Sequence, residues 1–290
     1  MSKHAALLPT TYARTIEAWL AEDIPAFDYG GYVVGDDVKV ATLYCKSPGV
    51  LAGIPFFNEV FRQTGCSVEW SFEEGVEIIP HEGKVVVAEV RGAARRILMG
   101  ERLALNILAR CSGVASRARR LRQLADNAGF AGVVAGTRKT TPGFRLVEKY
   151  GMQVGGADTH RMDLSSMVML KDNHVWATGS ITKAVAEARA VAGFSVKIEV
   201  ECQSEADAIE AIEAGADIVM LDNFGPEQLR ASALNIKANC PGYQHVLIEA
   251  SGGITEETAA DYMGPGIDII SFGTMTQGVP HVDFSLKIAH

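Results

Sequence analysis

Two adjacent cations and three hydroxyls fall within eight residues of this chain, Gly136-Thr137-Arg138-Lys139-Thr140-Thr141-Pro142-Gly143. An apolar, strand-like run, Gly132-Val133-Val134-Ala135, leads into them. Burying a charge without a partner is costly, so Arg138-Lys139 at a strand exit is poor core material. Amides, hydroxyls and cations packed this densely suit an anion rich in carboxylate or phosphate oxygens. A solvated turn would account for the pair taken alone. His160-Arg161 and Lys171, each beside a Gly-rich or apolar segment, extend the cationic set and favour a multiply anionic guest.

Carboxylates form the second group. Glu201 and Asp222 close successive strand-like runs and can converge on one magnesium ion, which prefers carboxylates, water and substrate phosphate. Structural ion pairs with the nearby cations are the plainer reading. Glu199 shares a strand face with Glu201 and is expected to partner a lysine. Ser251-Gly252-Gly253 offers a hydroxyl and bare amides to a phosphate, and Gly273 gives a neighbouring loop close backbone approach. His160 is expected to donate to a ligand, with a core histidine as the alternative. Arg102 lies with Asn106 and Arg110 on one side of a long helical pattern. It is either solvated or reaches a site on this or a neighbouring subunit.

These residues need a scaffold that brings them together. From residue 130 onward strand-like and helix-like runs alternate, and most strands are continuous Val, Ile, Leu and Met, as expected when both faces of a parallel sheet are covered. Lys171, Glu201, Asp222, Ser251 and Gly273 each lie at or just after the end of such a run. In α/β barrels the active site is assembled at those ends, and the last two loops often hold a phosphate. No G-x-G-x-x-G follows a strand and no Walker-type lysine loop is present, so nucleotide-binding sheets fit less well. Before residue 130, strand-like runs at 38–45, 50–53, 67–72 and 84–90 form a smaller α/β unit. A helix is expected from Leu7 to Trp19 and a long one from Ala93 to Asn127, whose buried stripe is Ala104, Ile107, Leu108 and Cys111.

The formal charge of -8 disfavours a nucleic-acid or membrane-surface binder, because those carry a basic face. Five cysteines, widely separated and without C-x-x-C, suit free thiols in a reducing compartment and give no zinc site. No leader pattern or apolar run approaching 18 residues occurs, and the expected compartment is the cytosol, with the nucleus as a second location.

Taken together, Gly136–Gly143, Glu148-Lys149-Tyr150, His160-Arg161, Met169–His174, Glu199–Cys202, Leu221–Phe224 and Glu249–Gly253 resemble the quinolinate phosphoribosyltransferase family of eukaryotic type, also called nicotinate-nucleotide pyrophosphorylase (carboxylating). The resemblance spans nearly the whole chain. It implies an N-terminal α/β sandwich, residues 1–113, with the tail 277–290 returning to it, and an incomplete seven-stranded α/β (TIM-like) barrel, 114–276. The implied reaction joins quinolinate to 5-phosphoribosyl 1-diphosphate, with Mg2+, and yields nicotinate mononucleotide, diphosphate and CO2 for NAD biosynthesis. Arg102, reaching across a dimer interface, with Arg138, His160, Arg161 and Lys171, would bind quinolinate. Lys139, Glu201 and Asp222 would serve the ribose, diphosphate and magnesium; Ser251, Gly252, Gly253 and Gly273 would hold the 5′-phosphate. The candidate catalytic set is thus Lys139, Lys171, Glu201 and Asp222, in a homodimer expected to assemble to a hexamer. Two rival readings are a Schiff-base aldolase using Lys171 and a non-catalytic sensor of the same dianion.

Overall fold

The computed structural model describes residues 3–81, 83–240 and 242–289. Its strands, in chain order, are β1 (Val38–Cys45), β2 (Gly49–Val50), β3 (Ser67–Trp70), β4 (Glu77–Ile78), β5 (Val85–Ala93), β6 (Val133–Ala135), β7 (Val168–Leu170), β8 (Ile198–Cys202), β9 (Ile218–Asp222), β10 (Leu247–Ser251), β11 (Ile269–Ser271) and β12 (Phe284–Ile288). Contacts divide the chain into two compact units. The first comprises residues 1–119, 141–156 and 278–290, and the second 120–140 and 157–277. Residues 141–156 therefore cluster with the first unit, although the expected barrel ran unbroken from 114 to 276.

The first unit is built on an antiparallel sheet in the order β12-β1-β5-β3. Alternation along β1 sends Ala41, Leu43 and Cys45 into the core, where they meet Phe56, Phe57 and Phe61 of the helix Ile54–Gln63. That helix was not expected. The strand anticipated at 50–53 stops at Val50, because Gly53 takes φ 106 at the helix N-terminus and Pro55 sits in the first turn. The first long helix runs Tyr12–Asp23, later than the expected Leu7–Trp19, after a 3₁₀ turn at Lys3–Leu7 and the break at Pro9. The long helix was anticipated to within a residue, as Ala94–Asn127, with Ala104, Ile107, Leu108 and Cys111 all fully buried. The helix Arg145–Gly155 carries Glu148, which is fully buried and accepts from Arg110 Nε (3.0 Å), Arg110 Nη2 (2.8 Å) and Thr141 N (2.9 Å).

The second unit holds a parallel sheet in the order β6-β11-β10-β9-β8-β7. Val200, Val219, Leu221, Ile248, Ala250 and Ile270 are fully buried along it, which explains the unbroken apolar runs. Helices Ile181–Ala192, Glu205–Glu213 and Pro226–Asn239 connect successive strands. Two carboxylates at strand starts tie neighbours together. Asp217 Oδ2 accepts from Ile198 N (2.7 Å) and Arg189 Nη2 (2.6 Å), and Asp268 Oδ2 accepts from Ile248 N and Lys237 Nζ (both 2.8 Å). Among the described residues this sheet has six strands, where the resemblance implied seven. The seventh position is a single parallel bridge between Ala135 and Asp158. His160 then takes φ 56 and turns the chain away, so the ladder ends after one bridge.

Candidate active site

The C-terminal ends of the strands surround a cavity of about 600 Å³ in the second unit. Arg138, Lys139, His160, Arg161, Lys171, Glu201, Asp222, Ser251, Gly252, Gly253 and Gly273 all line it. Arg102 does not. It is exposed on the long helix of the first unit, in a smaller hollow of about 300 Å³ with Trp19, Glu22, Asp23 and Phe144.

Local backbone interactions set these side chains. Lys139 N donates to Thr137 Oγ1 at 3.1 Å, while Lys139 O accepts from Thr276 Oγ1 at 2.6 Å, so the cationic turn is held from two sides. Gly273 leaves room for the lysine: a Cβ there would lie 3.1 Å from Lys139 Cδ. Gly252 has φ +98, and a Cβ would lie 2.6 Å from Asn223 N, so only glycine fits between the β9 and β10 loops. Asn223 itself takes φ 60, and its N–H donates to Ser251 O at 3.0 Å. Lys171 begins the helix Asp172–Thr178, and its N–H donates to His174 Nδ1 at 3.0 Å. Asp172 Oδ1 accepts from Asn173 N.

The charges are unevenly balanced. Lys171 Nζ is ion-paired with Glu201 Oε2. Schiff-base chemistry needs a free amine lone pair, and here the amine is a donor to a carboxylate, which disfavours the aldolase reading. Burial, and then the Glu201 charge, raise the Asp222 carboxyl above its ordinary range, against opposing pulls from Lys171 and Lys139. Burial and the neighbouring Arg138 guanidinium lower Arg161 from its usual value. A dianion placed between these two guanidiniums would relieve that repulsion. Arg138 Nε, Ser271 Oγ and Thr274 Oγ1 are buried without a hydrogen-bond partner among the described residues, and all three residues line the cavity. Unsatisfied donors in a cationic cavity call for a ligand rich in oxygen.

His160 behaves differently from the expectation. Its Nδ1 accepts from Arg161 N at 2.8 Å, and its Nε2 lies 3.1 Å from Glu249 Oε2 and 3.7 Å from Glu199 Oε2. Both ring nitrogens are engaged within the chain. Glu199 and Glu249 are fully buried, and Glu199 faces this histidine and Glu249 where a lysine partner was expected. Burial, and then the Glu249 carboxylate, push Glu199 well above the carboxylate range and favour its protonated form. The sequence reading gave Glu249 no role, placing it only at the start of the motif Glu249–Gly253. The signal for a role was a carboxylate in the middle of the apolar run Leu247-Ile248-Glu249-Ala250.

Two family models match most of the chain: "Quinolinate phosphoribosyl transferase, N-terminal domain" over residues 28–112 and the corresponding C-terminal domain over 114–287. The chain belongs to the quinolinate phosphoribosyl transferase family. It is an α/β pentosyltransferase of that family, and the cavity lies within the residues matched by the C-terminal model. The chain is 54% identical over 287 residues to the nicotinate-nucleotide pyrophosphorylase [carboxylating] of Dictyostelium discoideum, covering 95% of both chains. It is 53% identical over 282 residues to the protein of that name from Rattus norvegicus, covering 97% of this chain and 92% of the relative. Among solved structures, NadC from Streptococcus pyogenes superposes with a TM-score of 0.86 at 37% identity, over 98% of this chain and 99% of that one. The nicotinate-nucleotide pyrophosphorylase from Francisella tularensis gives 0.86 at 31% identity, over 97% and 98%. Among the described residues no helix is long and apolar enough to cross a membrane.

Proposed function

We propose that the chain transfers the phosphoribosyl group of 5-phosphoribosyl 1-diphosphate to quinolinate and decarboxylates the adduct, giving nicotinate mononucleotide, diphosphate and CO2 for NAD biosynthesis. The observation that carries this reading is the gathering of Arg138, Lys139, Arg161 and Lys171 around one cavity beside Glu201 and Asp222. Quinolinate brings two carboxylates, and planar guanidiniums match a carboxylate in two-point contact, so Arg138 and Arg161 are its natural anchors. The Ser251–Gly253 turn and Gly273 suit the 5′-phosphate, since their backbone can approach an oxygen closely.

Glu201 and Asp222 would hold Mg2+. The raised Asp222 carboxyl supports this, because a divalent cation next to two crowded carboxylates stabilises both ionised forms. Magnesium, when bound, would supply positive charge to the departing diphosphate. Lys139, whose charge acts on Asp222, adds a second cation, and Lys171, already on Glu201, holds that carboxylate in place. Breaking the C1′–diphosphate bond leaves an oxocarbenium-like sugar, which the quinolinate nitrogen attacks; no protein nucleophile is required. The pyridinium so formed is an electron sink, so the adjacent carboxylate leaves as CO2 and the ring carbon takes a proton. The chain acts by positioning and electrostatics. Arg102 would complete the quinolinate site of a partner subunit in a dimer, with hexamer assembly above it, in a reducing compartment such as the cytosol.

The test is to mix the protein with quinolinate, the activated sugar and magnesium. Nicotinate mononucleotide should form, chelation should stop its formation, and added magnesium should restore it. Turnover that persists in excess chelator would remove the metal from the account, and no product under any condition would remove the reaction.

A further inference from the structure

We propose that Glu249 is a positioning residue for quinolinate, acting through His160 on Arg161; this rests on the quinolinate reading above. Arg161 N donates to His160 Nδ1 at 2.8 Å, so that nitrogen is an acceptor. A neutral ring then carries its proton on Nε2, which donates to Glu249 Oε2 at 3.1 Å. The imidazole is a strut between a fully buried carboxylate on β10 and the backbone of the arginine beside it.

The strut holds a backbone that would otherwise relax. His160 has φ 56, which a β-carbon makes unfavourable unless the surroundings enforce it. Asp158 Oδ1 fixes the same residue from the other side, accepting from His160 N at 2.6 Å. The Arg161 guanidinium leaves this bend towards Met167 O (3.3 Å) and Met169 Sδ (3.5 Å), along the cavity wall. Small changes in the bend move the end of a long side chain. The bidentate contact that quinolinate needs from Arg161 therefore depends on Glu249, although Glu249 itself need not touch the substrate. His160, Glu199 and Glu249 also have the donor spacing of a cation site, with ligand atoms within 4.8 Å of one another. An Nε2 that carries a proton has no lone pair for a metal, so the strut is the reading favoured here.

The experiment compares Glu249→Met with Glu249→Gln in the intact protein. Methionine conserves length and removes the acceptor; because it strands the His160 Nε2–H, the variant's melting curve is recorded alongside to establish that it is folded. Glutamine keeps an acceptor for Nε2–H. For Glu249→Met the KM for quinolinate should rise about tenfold or more, with the KM for the activated sugar unchanged. Glu249→Gln should stay close to the parent. A His160→Ala change made in the Glu249→Met background should add little, as expected for members of one chain of contacts. Nitrogen-15 spectra of the imidazoles provide a readout independent of turnover: His160 should be the Nε2–H tautomer in the parent, and its Nε2–H should lose the shift of a proton hydrogen-bonded to a carboxylate in Glu249→Met. A parent His160 protonated on Nδ1, or metal-bound, overturns the proposal even if the enzyme is inactive. Equal effects on both substrates, or none, in a folded Glu249→Met variant overturn it while leaving the reaction itself intact.

Discussion

Lys139 and Asp222 mark the two halves of the proposed chemistry, and each makes a separate prediction. Lys139 has its backbone held by Thr137 and Thr276 and its side chain beside Gly273, so truncation should leave the fold alone. Lys139→Ala should lower turnover by about 10²-fold or more, with an unchanged melting temperature. Near-parental turnover would count heavily against the site. Asp222 has a raised carboxyl, so the folded chain binds its proton more tightly than the unfolded one. Stability on this account falls as pH rises from the ordinary carboxylate range through the raised value. Asp222→Asn should therefore melt higher than the parent at pH 7, with a smaller difference at pH 4, while turnover collapses. Paired melts and rates at the two pH values check both. A sensor would keep its quinolinate binding and lose nothing, whereas the transferase loses its reaction. At this scale the sequence was legible where polar residues stood out at strand ends, as Lys171 and Asp222 do. It was opaque for Glu249, whose neighbours in the chain are apolar and whose partners lie 89 and 50 residues away, at His160 and Glu199.

Among the elements, the parallel sheet separates stability from chemistry. Its C-terminal ends carry the cavity residues, and its N-terminal ends carry Asp217 and Asp268, each accepting from a neighbouring strand and a helix cation. Either aspartate changed to alanine strands a backbone N–H and should cost about 1–3 kcal/mol of stability, read by denaturant unfolding. The KM for both substrates should not move. A large KM change without loss of stability would show that the two ends are not independent. The long helix Ala94–Asn127 was readable because its apolar stripe recurs every three or four residues without a proline. The helix Ile54–Gln63 was not, since its glycine and proline look like a loop until Gly53 is seen to adopt φ 106 and Pro55 to occupy the first turn. The seventh barrel strand was implied by the resemblance alone; Ala135 and Asp158 form only one parallel bridge, and nothing in Asp158-Thr159-His160 announces the left-handed turn at His160.

For the molecule as a whole, the informative residue is Arg102. It lies in the first unit, exposed, while the other proposed quinolinate ligands line the cavity of the second. If a partner subunit receives it, then Arg102→Ala and Lys139→Ala proteins, each inactive alone, should complement when mixed and allowed to exchange subunits. Statistical pairing gives about a quarter of parental activity. No recovery after demonstrated exchange would place Arg102 outside the shared site.

In the proposed reaction a cationic cup at the strand ends takes a pyridine dicarboxylate and releases one of its carboxyl groups after ribosyl transfer. Quinolinate labelled with carbon-13 in the carboxyl group next to the ring nitrogen tests it most directly. With the activated sugar and magnesium, labelled CO2 should appear in a one-to-one ratio with nicotinate mononucleotide, and neither should form without the sugar. Product that retains the label, or CO2 released before any sugar is transferred, would contradict the account.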